Sequence, residues 1–444
     1  MKIRNIIIIF IIITVTQFST YCDNVYAISI EERDHTGKLV YSGGEPENKN
    51  RFEIGSIGFP VMISYAILLS LGIIFFKKRS NKIISRILNF ILNFEINKKI
   101  SIFTIVGLVT IYIIININKL WDPDEISWGD YNVVLKSIED LKTSPYQIQL
   151  LPITWRYYVL VFSNYVLGNI RIMPFIESIS LVILTYFLTV GITKKRFSGI
   201  VSIIILIQSN LFLKYSVAAT EDNLWTLFFV LSVYLVLKKG WLYISPGLYY
   251  LSLTTKPLVI LYLPALVFFI YRSIIPKNNK IKIYILYLLT SIVLVTAIFF
   301  GLFTTGNINF DIEKFVDAFK ILSSWLHSDM IISLFLLPLI VGLYIKSRKG
   351  VVHADSIMLL ILSTVISAPL LISVTDITNQ PYRFVPAIVF FAIGMGMLFS
   401  NDYIVSRKKP EHVSLIIFSV SFIIILFSTI SIIFPALIQT SSVY

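Results

Sequence analysis

Residues 100–130 read ISIFTIVGLVTIYIIININKLWDPDEISWGD. The first part of this stretch is an apolar run, Ile102–Ile115, which as a helix is long enough to cross much of a bilayer. Asp122, Asp124, Glu125 and Asp130 then follow within nine residues. Carboxylates this dense at a membrane boundary repel one another unless protons, a cation or a cationic partner offset them. The stretch therefore predicts either a solvated acidic loop or one half of a site.

The composition of the chain indicates a membrane protein. Of its 444 residues, 56% are hydrophobic and only 14% are charged. Apolar runs of about 17 or more residues recur from end to end, which a soluble fold could not cover and which a transmembrane barrel would not contain. The net charge of +13 comes from basic clusters between these runs, a pattern typical of cytoplasmic loops and not of a nucleic-acid partner. We predict an all-α, polytopic integral membrane protein.

The sequence before the quoted stretch predicts an N-terminal anchor and one further span. Residues 1–54 hold a basic start, an apolar run and a polar extracytoplasmic segment, so they read equally well as a cleaved signal peptide or as an uncleaved first helix. Residues 55–99 hold a span, Gly55–Phe76, and an amphipathic helix on the inner leaflet, Lys82–Lys99. Residues 100–444 form the main transmembrane domain, and the total is about 12–13 transmembrane helices.

Basic clusters fix an alternating topology for the rest of the chain. We assign these clusters to the cytoplasm by the positive-inside rule: Lys194–Arg196, Lys238–Lys239, Arg272–Lys282, Lys346–Lys349 and Arg407–Lys409. The spans expected around them lie near Ile100–Ile117, Ile176–Ile192, Gly199–Leu213, Leu224–Leu237, Ile283–Phe303, Ile331–Ile345, Ile357–Ile372, Val385–Phe399 and Leu415–Phe434. The segments expected outside are Trp121–Pro174, Tyr215–Asp222, Thr304–Met330 and Thr375–Arg383.

The interval from Lys239 to Arg272 begins and ends inside, so parity requires two spans in it. We predict a hairpin of two short helices broken at Thr254–Pro257, because proline ends a helix and restricts the residue before it. Lys256 then lies at the outer tip or just within the membrane. An intramembrane lysine indicates either a functional group or a structural ion pair.

The outward-facing ionisable groups combine acids and bases on one membrane face. Carboxylates can deprotonate a hydroxyl acceptor or bind a divalent cation, and lysine and arginine bind phosphate. The groups are Asp122, Asp124, Glu125, Asp130, Arg156, Glu221, Asp222, Lys256 and Arg383. Together they fit the transfer of a group from a lipid phosphate whose tail stays in the membrane.

Each of these residues also has a simpler interpretation. Glu221 and Asp222 can favour the N-terminus of the following span through the helix dipole. Arg383 can be an interfacial anchor beside Tyr382, and Arg156 can belong to an aromatic belt. The chain contains no Gly-rich phosphate loop, no Gly-x-Ser-x-Gly elbow and no His-Glu-x-x-His motif, so ATP-driven transport and hydrolase chemistry of those types have no support.

Four stretches in order resemble the GT-C membrane glycosyltransferases, in particular the protein mannosyltransferase and lipid A aminoarabinose transferase branch. The acidic pair Asp124-Glu125 after an outward span is similar to the first-loop motif of that family. Three further similar stretches are Lys214–Asp222, which ends in an acid before a span, Gly247–Pro257, which ends in Thr-Lys-Pro, and Tyr382–Ala387. The resemblance covers about residues 121–397.

The resemblance implies a GT-C-like fold with a large extracytoplasmic first loop that carries the catalytic acids. It implies a polyprenyl-phosphate-linked sugar donor, such as a dolichyl or undecaprenyl phosphate sugar, a protein, lipid or glycan acceptor, and inversion at the sugar carbon. By position, Asp124 is then the catalytic base, Glu125 lies beside it, and Asp222 supports the site. Lys256 and Arg383 contact the donor phosphate. The outward-facing groups Arg156, Asp122 and Glu221 are further candidates for substrate binding, apart from the resemblance. If the enzyme is metal-dependent, Asp124 and Asp222 bind Mg or Mn.

Two features depart from the family pattern, and two other functions compete with it. The stretch Leu151–Thr154 replaces the His-Pro-Pro-Leu-like sequence of the family, and residues 1–99 have no counterpart in it. The competing functions are a secondary transporter or lipid-linked-sugar flippase, and a non-catalytic relative that binds the lipid carrier. Transporters place ionisable residues near the bilayer midplane in repeated halves, whereas the carboxylates here cluster at outer ends.

Overall fold

The computed structural model describes residues 90, 92–121, 134–136, 138–141, 155–220, 222–297, 310–327, 329–374, 381–400 and 411–433. These residues form helices joined by turns, with no β-strand among them. The N-terminal anchor and the span predicted at Gly55–Phe76 lie outside the described residues.

Fourteen α-helices with defined bounds make up the described chain. They are α1 Lys98–Asn116, α2 Trp155–Tyr165, α3 Ile172–Thr193, α4 Arg196–Gln208, α5 Asn210–Tyr215, α6 Asp222–Val236, α7 Ser245–Thr255, α8 Leu263–Arg272, α9 Lys277–Ala297, α10 Ile312–His327, α11 Met330–Arg348, α12 Ala354–Val374, α13 Val385–Leu398 and α14 Glu411–Ile433. Four 3-10 segments join some of them: Ile117–Trp121, Lys239–Trp241, Pro257–Tyr262 and Pro381–Phe384.

Five stretches of helix in the described chain are long and apolar enough to cross a membrane. They are Lys98–Trp121, Ile172–Thr193, Met330–Arg348, Ala354–Ser373 and His412–Ile430, and each coincides with a predicted span. Shorter apolar helices cover Arg196–Gln208, Asp222–Val236, Pro257–Arg272 and Tyr382–Leu398. Large apolar side chains such as Phe103, Leu288 and Ile423 are exposed on α1, α9 and α14, as expected for surfaces that face lipid. The chain is thus an all-α protein built for association with a membrane.

The helices run between two ends of the bundle. We name one the Asp222 end, where α6 begins and α7 ends, and the other the Lys195 end, where α3 ends and α4 begins. At the Lys195 end, the Lys195 ammonium donates to the carbonyl oxygen of Phe399 at 2.9 Å, and the Lys346 ammonium donates to that of Ser400 at 2.6 Å. Both carbonyls follow α13, so the two buried lysines neutralise the negative end of its dipole.

One predicted span is divided in the structure. The sequence predicted a single span at Gly199–Leu213, but α4 ends before Ser209 and α5 begins after it. The Ser209 hydroxyl donates to the Asp329 carboxylate at 2.6 Å and accepts from the Phe212 amide at 3.1 Å. Asp329 in turn caps α11 through the amides of Ile331 and Ile332. A contact with a distant helix therefore fixes the break.

One other sequence prediction needs correction, and one predicted outer segment contains a helix. The amphipathic helix predicted at Lys82–Lys99 does not continue to its predicted end, because residues 94–97 are not helical and the Asn97 side chain caps α1 by accepting from the Ile100 amide at 2.8 Å. The segment Thr304–Met330, predicted as an outer connection between spans, contains α10. The apolar side of α10 packs against α12 and α14, and residues such as Lys314 and Asp317 are exposed.

Gly396 allows α13 to approach α3 and α4 closely. A Cβ atom at this position would lie 2.5 Å from the Ser198 carbonyl oxygen and 2.9 Å from a methyl carbon of Thr189, so it would clash with backbone.

We expect Gly396→Ala to lower the free energy of unfolding in detergent by about 1–3 kcal/mol, because overpacking forces the helices apart. The control is Gly247→Ala in α7, where no atom lies within 4 Å of the added carbon. Equal thermal midpoints for the two variants would contradict this packing.

Candidate functional site

Asp222 begins α6 and is fully buried. Its Oδ1 accepts hydrogen bonds from the Trp225 indole at 2.8 Å and from the Lys256 ammonium at 2.6 Å. Its Oδ2 is also buried, and no group in the described part of the chain forms a hydrogen bond with it. Asp222 therefore does more than favour the helix dipole, because its side chain turns to a cation from another helix and leaves one acceptor oxygen unused.

Lys256 lies at the break of the predicted hairpin. α7 ends at Thr255, Lys256 is extended, and Pro257 opens the following 3-10 segment, so the break falls within the predicted Thr254–Pro257. The lysine is 7% exposed, and its ammonium lies 5.5 Å from the centre of the Tyr382 ring. The structural ion pair that the sequence left open is thus present with Asp222, and an aromatic face covers the same ammonium group.

Arg383 follows Tyr382 in the 3-10 segment that leads into α13. Its side chain is buried, with 4% exposed, so it is not the interfacial anchor that the sequence allowed. Two of its guanidinium nitrogens, Nε and Nη1, are buried and have no hydrogen-bond partner among the described residues. A buried cation with unused donors is costly and is the arrangement that an anion would satisfy.

The chain on the N-terminal side of the acidic stretch is bound to the segment that leads to Asp222. The Lys119 ammonium donates to the Leu213 carbonyl oxygen at 2.7 Å. The Tyr112 hydroxyl donates to the Ser216 hydroxyl at 2.7 Å. The described chain therefore reaches Trp121, directly before the acidic stretch, close to the segment that precedes α6.

The chain on the C-terminal side of the acidic stretch packs against the same segment. Val134 and Ile138 form a buried apolar cluster with Leu160, Ile170 and Ala219. Ala219 lies three residues before Asp222 in the sequence. The first and second predicted outer loops therefore share a core, and both flanks of the acidic stretch are attached next to the start of α6.

Several predicted site residues lie outside the described residues. These are Asp122, Asp124, Glu125, Asp130 and Glu221; Arg156 belongs to α2, but its side chain is not described. Of the predicted site, the structure brings together Asp222, Lys256 and the Tyr382–Arg383 segment.

A metal site is not formed by the described residues on their own. They contain no group of three His, Cys, Asp or Glu side chains that could bind a metal ion. Asp222 offers only its Oδ2, since Lys256 and Trp225 occupy the other oxygen. The predicted Mg or Mn site at Asp124 and Asp222 stays a prediction.

Sequence reasoning missed two aromatic residues that complete the site. Trp225 lies three residues after Asp222, on the same side of α6, and this spacing was the available signal. The sequence places Tyr382 only beside Arg383, whereas in the structure its ring lies over the Lys256 ammonium. Trp225 also packs against Tyr262 with ring centres 5.6 Å apart, so aromatic rings border the ion pair.

Comparisons with known proteins find no match: no family model, no curated protein and no solved structure is similar to the chain. The geometry of the Asp222 end is thus the main basis for a functional assignment.

Proposed function

We propose that the protein transfers a sugar from a polyprenyl-phosphate-linked donor to a protein, lipid or glycan acceptor on the extracytoplasmic face of the cell membrane. The proposal includes a GT-C-like fold of about 12–13 transmembrane helices with a large extracytoplasmic first loop. The observation that carries it is the buried Arg383 guanidinium, two of whose nitrogens have no hydrogen-bond partner within the described residues. Arg383 directly follows Tyr382, whose ring covers the Lys256–Asp222 pair. This arrangement at the end of a membrane helix bundle suits a phosphate whose lipid tail lies in the bilayer.

The proposed reaction is an inverting displacement at the anomeric carbon of the sugar. The acceptor hydroxyl oxygen attacks this carbon, its bond to the phosphate oxygen breaks, and the electron pair leaves with polyprenyl phosphate. Asp124, with Glu125 beside it, takes the hydroxyl proton as general base. Arg383 donates to the phosphate oxygens as negative charge develops on the leaving group.

Asp222 and Lys256 have a linked role in this proposal. Because Asp222 shares its Oδ1 with the lysine, it positions the ammonium group toward Tyr382 and the 3-10 segment. Lys256 then contributes positive charge near the phosphate without being its principal hydrogen-bond donor. If a divalent cation takes part, Asp124 and the unpartnered Oδ2 of Asp222 are the proposed ligands, and the cation would neutralise the phosphate.

The proposal is tested by comparing two ligands that differ only in the phosphate. We expect polyprenyl phosphate, but not polyprenol of the same length, to raise the thermal midpoint of the purified protein. Arg383→Gln should weaken polyprenyl phosphate binding by about 10–100-fold, because a hydrogen bond to a charged group contributes about 1.5–3 kcal/mol. Arg348→Gln, which removes an exposed charge at the Lys195 end, is the control and should bind normally. Equal stabilisation by phosphate and alcohol would contradict the phosphate site.

A secondary transporter or lipid-linked-sugar flippase is the second candidate function. Glu177 favours it, because this carboxyl is buried within the apolar helix α3 and an intramembrane carboxyl is typical of proton-coupled transport. An activity measurement in detergent solution distinguishes the two functions. A transferase converts donor and acceptor there, whereas transport requires two compartments. A non-catalytic relative would bind polyprenyl phosphate and convert nothing.

A further inference from the structure

A groove opens on the surface of the bundle at the Lys195 end of the α6–α7 pair. Its volume is about 580 Å³, and its walls are apolar or aromatic except for one lysine. The lining residues are Leu231, Tyr234, Leu235, Lys238, Trp241, Ile244 and Leu248. Trp241 is 60% exposed and Ile244 is 48% exposed, so the groove is open to its surroundings.

Two lysines flank one aromatic ring of this groove. The Lys238 ammonium lies 5.1 Å from the centre of the Tyr234 ring. Gly191 lies close to the same ring, since a Cβ atom added to it would be 3.7 Å from a ring carbon of Tyr234. The carbonyl oxygen of Gly191 accepts a hydrogen bond from the Lys194 ammonium at 2.7 Å. Lys194 also has a positive φ of 59°, which turns the chain sharply after α3. Lys238 therefore lines the groove itself, and Lys194 lies near enough to it for the two positive charges to repel each other.

No described acid neutralises these two lysines. The acids at this end bind other cations: Glu95 contacts Arg196, and Asp355 contacts Arg272. Burial lowers the pKa of Lys194, and the nearby positive charge of Lys238 lowers it further. An anion between the lysines would remove this repulsion.

We propose that this groove binds an anionic phospholipid of the cytoplasmic leaflet, with its phosphate between Lys194 and Lys238 and an acyl chain along Leu231, Leu235 and Leu248. The charge at the mouth selects the phosphate, and the apolar walls select the chain. Tyr234 and Trp241 provide the amphipathic rings that favour the level of the head groups. This site lies at the opposite end of α6 from Asp222 and does not depend on the proposed sugar transfer.

The test measures binding of phosphatidylglycerol and phosphatidylcholine with identical acyl chains to the full-length protein in detergent, by native mass spectrometry. We expect a preference for phosphatidylglycerol that falls by about 25–30-fold in Lys194→Gln/Lys238→Gln, since each lysine near a membrane surface accounts for about a fivefold change in affinity. The control is Lys277→Gln/Lys282→Gln, which removes the same charge from exposed positions on α9. That variant should keep the preference.

One further variant and one competitor distinguish lipid binding in the groove from general electrostatic attraction between the lipid and the protein. Ile244→Trp narrows the groove without changing charge and should weaken binding of both lipids. Glycerol phosphate, which has the head-group charge and no chain, should not compete with the lipid. An equal loss in the two double-lysine variants, or full competition by glycerol phosphate, would overturn the assignment, as would the absence of any preference for the anionic lipid.

Discussion

Asp124→Asn is expected to reduce sugar transfer by about 10²–10⁴-fold, because the amide cannot accept the proton of the acceptor hydroxyl. The change is nearly isosteric, so abundance in the membrane and the thermal midpoint should match those of the unmodified protein. Transfer is measured in detergent solution with a labelled polyprenyl-phosphate sugar. Polyprenyl phosphate binding should persist, since Arg383 is intact.

The control for this prediction is Asp130→Asn, in the same acidic stretch. We expect it to change transfer by less than about tenfold, because Asp130 is not part of the Asp124-Glu125 pair that resembles the family motif. Normal transfer by the Asp124→Asn protein would remove the catalytic assignment. If the two variants lost transfer equally, the stretch would act through its total charge and not through one base.

Lys256→Met is expected to lower the free energy of unfolding by about 3–5 kcal/mol, because it leaves the Asp222 carboxylate buried without its cation. Asp222→Asn/Lys256→Met should recover most of this loss, since neither charge then remains. Unfolding is followed by heat or denaturant in one detergent. Lys320→Met is the control, because the partner of Lys320 on α10, Asp317, is exposed and the pair is partly solvated, so it should contribute less than about 1 kcal/mol.

The double variant also separates the two roles of Lys256. If the lysine contributes charge at the phosphate, the Asp222→Asn/Lys256→Met protein should bind polyprenyl phosphate more weakly than the unmodified protein, even where its stability is recovered. Unchanged binding would restrict Lys256 to the structural ion pair. A Lys256→Met protein as stable as the unmodified one would show that the pair itself does not stabilise the fold.

The positions of the helices follow from local sequence, and for this reason they were predictable. The run predicted at Ile357–Ile372 lies within α12, which extends only a few residues further at each end. Apolar runs and the basic clusters between them are local signals that a bilayer makes obligatory. The break after Lys256 was predictable for the same reason, because proline acts on its own neighbours.

The features that the sequence did not reveal depend on contacts between distant residues. Ser209 lies in a polar triplet, Gln208–Asn210, within the predicted span, but its bond to Asp329 connects positions 120 residues apart. Likewise, nothing local distinguishes a lysine that binds phosphate from one that binds Asp222 across 34 residues. The sequence could place both groups at one end of the bundle, but the pairing and the aromatic cover by Tyr382 required the tertiary structure.

The anchoring of α13 restricts how the site could respond to a ligand. Every residue of this helix from Val385 to Met397 is buried. Lys195, which precedes α4, and Lys346 of α11 bind the carbonyl groups that follow the helix. A piston-like displacement along its axis would break both contacts and expose apolar surface. Arg383, in the 3-10 segment that leads into this helix, is therefore attached to an element that resists displacement along its axis. If the proposed lipid donor enters through an opening between helices, we expect α13 to stay in place and the less buried helices to move.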